Sequence, residues 1–398
     1  MASAELKLLS GIRVLSFTHF MLGPAGVQYL ADMGADVIKV EPPRRGAWER
    51  SWAGGDTFPG GESAFFMLAN RNCRSITLDL KTEAGQEVAR RLMSEADVIV
   101  ENFRPGILAR FGLGYEEAKR IKPDIIYASG TGYGAEGPYR DLPAQDLLIQ
   151  AMSGLASVTG REGQAPVPSG VAVVDQHSAV LLAMAVLAAL VHRERTGEGQ
   201  RLEVIMLLAA LDLGVEPIVY SLNGGEVKVP KERLGSAYHA APYGIYETLD
   251  GHVAVSVSPV KLVRAAFDGA EELAQFEDPA IAFERREDIR AALDPHFRSR
   301  KTGDVVKLLR EHGVWCTPVQ DYDEVFDDPA VVSLDPLMEI DHPRAGKVKL
   351  LKHPVRYSSG EPAVRYLPPT LGEHTASVLA EAGYTEAEIA SLEDSGVV

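Results

Sequence analysis

The chain has 398 residues, of which 46% are hydrophobic, a composition typical of a globular protein large enough for two domains. Its formal net charge of −16 argues against binding to nucleic acid or to an anionic membrane, so an anionic ligand would need a local basic cluster. The two cysteines, Cys73 and Cys316, lie far apart and outside any C-x-x-C spacing, which argues against a disulfide framework or a zinc site.

The sequence shows no pattern of export or membrane insertion. No basic segment followed by a long apolar segment opens it. Its longest apolar stretch, residues 179–191, is shorter than the roughly 20 residues that a membrane-spanning helix needs. We therefore expect a cytoplasmic protein with no membrane partner.

The first half of the sequence alternates strand-like and helix-like segments. Residues 12–17 predict a strand, Gly23 and Pro24 a turn that opens a helix over residues 25–33, and residues 36–40 the next strand. The pattern recurs, with strands predicted over residues 75–80, 97–100, 125–129 and 201–204, and helices over residues 83–95, 115–121 and 179–191. This alternation predicts an α/β fold with a mostly parallel, Rossmann-like, doubly wound sheet.

The composition changes near residue 223, where glycine, proline and lysine become frequent. Two strands are predicted within residues 241–257, around a turn at Asp250 and Gly251, and charged helical segments follow over residues 260–313. We therefore expect a large Rossmann-like domain that begins with residues 1–222. A smaller α+β domain with its linkers would span residues 223–330, and residues 331–398, with a helix near 376–382, would return to the large domain.

Asp175 is the one acidic residue between Glu162 and Glu194, and it stands just before the apolar helix predicted over residues 179–191. It can be interpreted as a helix N-cap, whose carboxylate accepts hydrogen bonds from the first turn. It can also be interpreted as a nucleophile, because the helix dipole favours the ionised form and a poorly hydrated carboxylate can attack an acyl carbon. One carboxylate could serve in both roles.

The sheet suggests a nucleotide-binding protein, but the glycine pattern does not fit NAD or FAD. The turn at residues 23–26 (GPAG) lacks the G-x-G-x-x-G fingerprint, and the glycines of residues 130–134 run into a loop. Basic residues at strand ends or in the loops after strands could instead bind phosphates together, although each alone is explained by a solvated surface charge. These residues are Lys39, Arg71, Arg74, Arg104 and Arg140.

An ordered set of short segments runs through nearly the whole chain. These are residues 11–15 (GIRVL), 23–24 (GP), 31–43 (ADMGADVIKVEPP), 70–80 (NRNCRSITLDL), 102–106 (NFRPG), 132–139 (GYGAEGPY), 197–200 (GEGQ) and 368–375 (PPTLGEHT). Together they resemble the class III CoA-transferases, the family of formyl-CoA transferase and carnitine CoA-transferase, which also includes α-methylacyl-CoA racemase. Asp175 falls on the catalytic aspartate of that family.

The resemblance implies an acyl-CoA:carboxylate CoA-transferase. Asp175 would pass the CoA group from an acyl-CoA to a small carboxylic acid through an aspartyl-CoA thioester, with CoA as substrate, no permanently bound cofactor and no metal. It also implies an interlocked homodimer. The expected CoA contacts are His19, Lys39, Arg71, Arg74, Arg104 and Tyr133.

Three positions depart from family members. Met21 stands where formyl-CoA transferase has a glutamine before the turn, which argues against oxalate as acceptor because an apolar side chain offers nothing to a second carboxylate. Cys73 stands where the transferases often have lysine. Gln145 stands where the racemases have a histidine, and it cannot transfer a proton. Transfer is therefore favoured over the alternative, an α-methylacyl-CoA racemase, and Asp175 argues against a CoA-binding protein without activity.

Overall fold

The structure of the protein is a computed structural model, which describes residues 4–231 and 236–398. The chain folds as two compact units. The first unit comprises the chain up to Ile149, residues 172–213 and residues 336–398, and the second comprises residues 150–171 and 214–335. These limits differ from the predicted boundaries after residues 222 and 330. The change in amino-acid composition near residue 223 marks a loop, whereas the second unit already includes the helix before that loop, Val215–Leu222.

The elements are numbered along the chain. The strands are β1 (Arg13–Phe17), β2 (Asp36–Glu41), β3 (Cys73–Thr77), β4 (Val98–Glu101), β5 (Ile126–Thr131), β6 (Arg201–Ile205), β7 (Gly244–Glu247), β8 (His252–Val255), β9 (Cys316–Pro318), β10 (Leu337–His342) and β11 (Gly346–Leu351). The helices are α1 (Leu22–Asp32), α2 (Ala64–Met67), α3 (Glu83–Glu95), α4 (Ile107–Arg110), α5 (Tyr115–Ile121), α6 (Asp146–Met152), α7 (Val173–Thr196), α8 (Met206–Leu213), α9 (Val215–Leu222), α10 (Val260–Ala266), α11 (Arg286–Arg298), α12 (Thr302–Glu311), α13 (Pro329–Leu334), α14 (Thr375–Glu381) and α15 (Glu386–Asp394). Short 3₁₀ helices cover Trp48–Ser51, Gly54–Asp56, Pro59–Gly61, Leu155–Val158, Glu271–Phe276 and Pro279–Ile281.

A six-stranded parallel sheet organises the first unit, in the order β3-β2-β1-β4-β5-β6. Val14 of β1 pairs with Val37 on one side and with Val98 on the other. The strand order reverses between β1 and β4, and ligands of open α/β sheets bind beside the carboxyl ends of the strands at such a point. The predicted α/β class is confirmed, and the loops after β1 and β4 become the first place to look for a site.

Both faces of the sheet are covered. Alternate strand residues such as Leu15, Ile38 and Ile99 point into one core with α3 and α14. On the opposite face α1 lies directly against α7, where a Cβ on Gly26 would come within 2.8 Å of Leu182 Cδ2. Glycine at this position therefore lets the two helices approach closely.

Helix α7 is buried on one face only, although its apolar sequence is typical of a buried helix. Ala179 and Leu182 are fully buried, but Val180, Met184 and Val191 are about half exposed and form an apolar outer stripe. Its 24 residues also extend beyond the predicted apolar stretch. By length and composition alone the helix could cross a membrane, a test that the core helices of water-soluble proteins also pass.

The second unit contains a three-stranded antiparallel sheet, in the order β7-β8-β9. The predicted hairpin at Asp250 and Gly251 is present, and the Thr248 N–H donates to the Gly251 carbonyl at 2.9 Å. Helices α10, α11 and α12 pack on this sheet around a core in which Tyr246 stacks on Phe297.

Most predicted elements are confirmed, and the differences lie at their ends. Helices α3 and α5 have the predicted bounds. Helix α1 begins at Leu22, three residues before its predicted start, so Pro24 lies inside its first turn, where a missing N–H breaks no hydrogen bond. The hairpin of β10 and β11 was not predicted.

Candidate active site

A cavity of about 640 Å³ opens in the first unit where the strand order reverses. Part of the lining comes from three loops that carry its two arginines, which we call the polar loops and define as residues 102–107, 130–133 and 140–146. Another part, which we call the apolar side, comes from residues 20–22, Trp48, Trp52 and Phe65. Asp175 lines the same cavity, so the structure brings the predicted nucleophile to the predicted edge of the sheet.

Asp175 is the third residue of α7, and the cap of this helix comes from another segment. The N-cap position, Ala172, has no capping side chain. Instead Asp146 Oδ2 accepts the N–H groups of Val174 and Asp175, at 2.8 and 3.0 Å. The interpretation of Asp175 as an N-cap is therefore wrong, because Asp146 satisfies the first turn and leaves the Asp175 carboxylate to the cavity.

The electrostatic setting of Asp175 also differs from the expectation that the helix dipole keeps it ionised. Burial, and after it the nearby carboxylate of Asp146, raises the pKa of Asp175 to about 7. Both causes disfavour the charged form. The ionised form therefore becomes more populated as pH rises through neutrality.

The loops after β1 and β4 are tied together at the cavity. The His19 N–H donates to Asn102 Oδ1 at 2.9 Å, and Asn102 Nδ2 donates to the His19 carbonyl at 2.8 Å. The His19 ring packs against Phe103, and burial lowers the pKa of His19. Burial thus disfavours the charged form of this ring, which lines the cavity and can offer a hydrogen bond to a phosphate.

Two exposed arginines lie on the polar loops. Arg104 and Arg140 both line the cavity, and the place of a Cβ on Gly106 is 3.3 Å from Arg140 Nη2. Within the described part of the chain, no carboxylate lies within salt-bridge distance of either guanidinium. These two side chains can therefore meet an anionic ligand.

Tyr133, Met21 and Gln145 also line the cavity. Tyr133 packs edge-on against Tyr139. Gln145 directly precedes α6, next to the Asp146 that caps α7. Two of the three departures noted in the sequence, Met21 and Gln145, thus lie at this cavity.

Lys39, an expected phosphate contact, is placed elsewhere. Its side chain is buried behind the loop after β1, where Nζ donates to the Thr18 carbonyl at 2.9 Å and to Glu49 Oε1 at 3.1 Å. Glu49 is fully buried as well. Lys39 does not line the cavity. Its charge is neutralised by Glu49 inside the protein.

Arg71 and Arg74 are likewise held by carboxylates. Arg71 makes a two-pronged contact with Asp32, at 3.0 and 2.5 Å, and Arg74 binds Asp36 and Glu381. Neither lines the cavity. These two expectations of phosphate binding are corrected for the same reason as for Lys39.

The apolar side of the cavity was not predicted. Phe20 stacks on Trp48 at 4.6 Å between ring centroids, Trp48 stacks on Trp52 at 5.5 Å, and Trp52 meets Phe65 edge-on at 4.8 Å. We call these four residues the aromatic wall. Two tryptophans four residues apart in a glycine-rich segment were the available signal in the sequence.

Cys73 is buried on β3, and burial raises the pKa of its thiol to about 12, so it is neither charged nor reactive. Among residues 4–231 and 236–398, no group of three or more histidine, cysteine, aspartate or glutamate side chains is arranged to hold a metal ion.

Comparisons with known proteins find relatives over nearly the full length. The model of the CoA-transferase family III matches residues 9–375. Succinyl-CoA:glutarate CoA-transferase of Mus musculus is 33% identical over 99% of this chain and 90% of its own length, and formyl-CoA:oxalate CoA-transferase of Streptomyces coelicolor is 33% identical over 98% and 99%. A crystal structure of a CAIB/BAIF family protein from Brucella suis superposes with a TM-score of 0.81 at 32% identity, covering 94% of this chain and 99% of that one.

Proposed function

Because the chain belongs to the CoA-transferase family III and is an enzyme that moves CoA from an acyl-CoA to a carboxylate, we propose that the Asp175 carboxylate carries the CoA group between the two half-reactions. One observation above all supports this role. Asp175 faces the cavity while Asp146 caps its helix, so no first-turn N–H group competes for the Asp175 carboxylate.

In the first half-reaction an Asp175 oxygen attacks the thioester carbon of the donor. The C–S bond breaks, the CoA thiolate leaves, and a mixed anhydride forms. The thiolate then attacks the Asp175 carbonyl carbon, which releases the donor acid as a carboxylate and leaves an aspartyl-CoA thioester. The acceptor carboxylate repeats these steps in reverse, so acceptor-CoA leaves and Asp175 is regenerated.

No cofactor is consumed in this sequence, because the thioester energy is kept in covalent bonds throughout. A carboxylate with a pKa near 7 is also a better nucleophile than an ordinary aspartate, provided that the pH is high enough to ionise it. The elevated pKa of Asp175 therefore suits its proposed role at neutral to alkaline pH.

Arg104 and Arg140 are the proposed contacts for the CoA phosphates, with hydrogen bonds from His19 and Tyr133. Both arginines are exposed in the cavity, and a charge-assisted hydrogen bond to phosphate is among the strong polar contacts available to a protein. In a chain of net charge −16 such a local cluster is needed to hold an anion.

We also propose that the enzyme is an interlocked cytoplasmic homodimer. The exposed apolar stripe of α7 supports an interface, as do Leu208 and Leu211 on α8, since contiguous exposed apolar surface marks sites of association. A small carboxylic acid other than oxalate is the proposed acceptor, because Met21 lines the cavity. Racemisation is not proposed, because Gln145 can supply no proton.

Replacement of the nucleophile tests the mechanism. Asp175→Ala and Asp175→Asn should lower kcat for CoA transfer by at least a thousandfold, since neither side chain can form the acyl intermediate. Asp304→Asn is a matched control, because Asp304 is the third residue of α12 and is exposed, and this variant should keep its activity. Hydroxylamine added with donor acyl-CoA should label Asp175 in the unmodified enzyme. More than a few per cent of activity in both Asp175 variants would refute the covalent role.

A further inference from the structure

The aromatic wall has no part in the covalent steps, yet it forms most of the apolar side of the cavity. Trp48 and Trp52 are 47% and 42% exposed, although large aromatic side chains gain much free energy from burial. Met21 and Leu22 continue the same surface. This side presents no cation, since the two arginines of the cavity are on the polar loops.

A buried ion pair holds the wall from behind. Glu49 Oε2 accepts the N–H of Phe20 at 3.0 Å, while Glu49 Oε1 accepts from Lys39 at 3.1 Å. Phe20 has a φ of 61°, a conformation that a bulky residue adopts only when its surroundings impose it. Because Trp48 directly precedes Glu49, the same pair positions both rings of the first stack.

The wall begins beside the helix of the nucleophile. Met21, next to Phe20, packs against a buried cluster that includes Ala179 of α7. Ala179 lies four residues after Asp175, one turn further along the same face of the helix. Because Asp175 and the aromatic wall line the same cavity, an acyl group bound at Asp175 occupies the space that the wall borders.

We propose, on the basis of the transferase function proposed above, that the aromatic wall binds the organic part of the substrate acid and that the preferred acid carries a bulky, ring-containing apolar group instead of a second carboxylate. Aromatic rings stack favourably on such a surface. A second carboxylate placed there would lose its hydration without gaining a partner. The polar loops keep their arginines for the CoA phosphates.

Self-exchange of an acid into its own thioester tests this preference with the full-length enzyme. Three pairs are compared by mass spectrometry: 3-phenylpropanoyl-CoA with ¹³C-3-phenylpropanoate, glutaryl-CoA with ¹³C-glutarate, and propanoyl-CoA with ¹³C-propanoate. We expect kcat/KM for the phenyl pair to exceed that for the glutaryl pair at least tenfold. A preference for glutarate would overturn the inference, whereas no exchange in any pair would refute the transferase function itself.

The Trp48→Ala variant identifies the part of the substrate that the wall contacts. Its loss of kcat/KM should be at least tenfold greater for the phenyl pair than for the propanoyl pair, and Trp48→Phe should recover part of the loss. Trp315→Ala is the matched control, because Trp315 is 68% exposed in the second unit, and it should change neither pair. An equal loss in all three pairs would assign the wall to the shared adenine of CoA and overturn the proposal. Circular dichroism of each variant verifies folding.

Discussion

Five basic residues that the sequence places on strands or in loops beside them divide into two groups in the structure. Lys39 lies on β2, Arg71 in the segment before β3, and Arg74 on β3. Each is paired with a carboxylate, which is buried for Lys39 and Arg71 and partly exposed for Arg74. Arg104 and Arg140 come from the polar loops and face the cavity. The first group holds the fold together, and only the second group is available to a substrate.

Position and pairing together separate the groups: Arg71 and Arg74 lie at the amino end of β3, away from the cavity, and each cation of the first group has a carboxylate partner. Asp32 lies 39 residues before Arg71, and Glu49 lies ten residues after Lys39. A buried charge is tolerated only when it is paired and hydrogen-bonded, so these partners are required wherever the cation is enclosed. An unpaired arginine at the surface of a cavity keeps its charge for a ligand.

The largest expected effect comes from breaking an interior pair. Arg71→Met leaves the buried Asp32 without its guanidinium and should lower the free energy of unfolding by about 3–5 kcal/mol. The KM of the molecules that remain folded should stay within about twofold of its original value. Urea titration followed by circular dichroism measures the first quantity, and steady-state kinetics measures the second.

Arg120→Met is the control for this change. Arg120 pairs with Glu117 on the surface of α5, with its side chain 73% exposed, and such pairs contribute about 0–1 kcal/mol. A stability loss in Arg71→Met no larger than in Arg120→Met would mean that the two groups of cations do not differ as described.

Replacement of an arginine at the cavity is expected to have a smaller effect, which is confined to the binding of acyl-CoA. Arg104→Ala should raise the KM for acyl-CoA about tenfold, the equivalent of about 1.4 kcal/mol, while kcat changes less and the free energy of unfolding stays the same. Arg104→Lys should keep part of the affinity, because it retains the charge but loses the two-pronged geometry. An unchanged KM in Arg104→Ala would place the phosphates elsewhere.

The carboxylates also differ in their neighbours, and the effect expected from changing such a neighbour, a shift in the pH dependence of kcat, is smaller still. Asp32 and Glu49 have cationic partners, whereas Asp175 lies next to the carboxylate of Asp146. Burial first, and the Asp146 carboxylate second, raise the pKa of Asp175 to about 7. Because the proposed nucleophile is the ionised form, kcat should rise with pH through a midpoint near 7. Asp146→Asn removes the neighbouring charge but keeps an oxygen acceptor for the helix cap.

The midpoint of this pH profile should therefore fall in Asp146→Asn, yet stay above the range of an ordinary aspartate, because burial is the larger cause of the shift. Rate profiles between pH 5 and 9 provide the measurement. An unchanged midpoint would show that the Asp146 charge does not reach Asp175, and a rate that falls as pH rises would contradict the nucleophilic role.

Local patterns predicted the framework of the first unit well. Apolar segments that alternate with helix-forming stretches are properties of neighbouring residues. They predicted the six strands of the parallel sheet and the class of that sheet, but not the hairpin of β10 and β11. Asp175 could be singled out because it interrupts an apolar region. Its place at the cavity follows from the position of α7 beside the sheet.

Features that join distant segments could not be read in the same way. The cap of α7 by Asp146 spans 29 residues, and the stack of Phe20 on Trp48 joins two loops. Such partners become visible only when the chain is folded, because spacing in sequence does not encode them. The exposed apolar stripe of α7 was not predicted for a related reason. An apolar composition indicates that a helix avoids water, but it does not indicate which faces of the helix other parts of the chain cover.

The helix cap that Asp146 provides also determines where this chain can change in length. Asp146 and Asp175 belong to the first unit, but residues 150–171 between them belong to the second. The hydrogen bonds to Asp146 join the two ends of the segment between Asp146 and Asp175, which therefore forms a closed loop. The entropic cost of closing a loop grows only with the logarithm of its length, by about 0.6 kcal/mol for each doubling. Insertions among the exposed residues 163–168 would therefore scarcely affect the cap, so this region can vary in length while the Asp175 carboxylate stays in place.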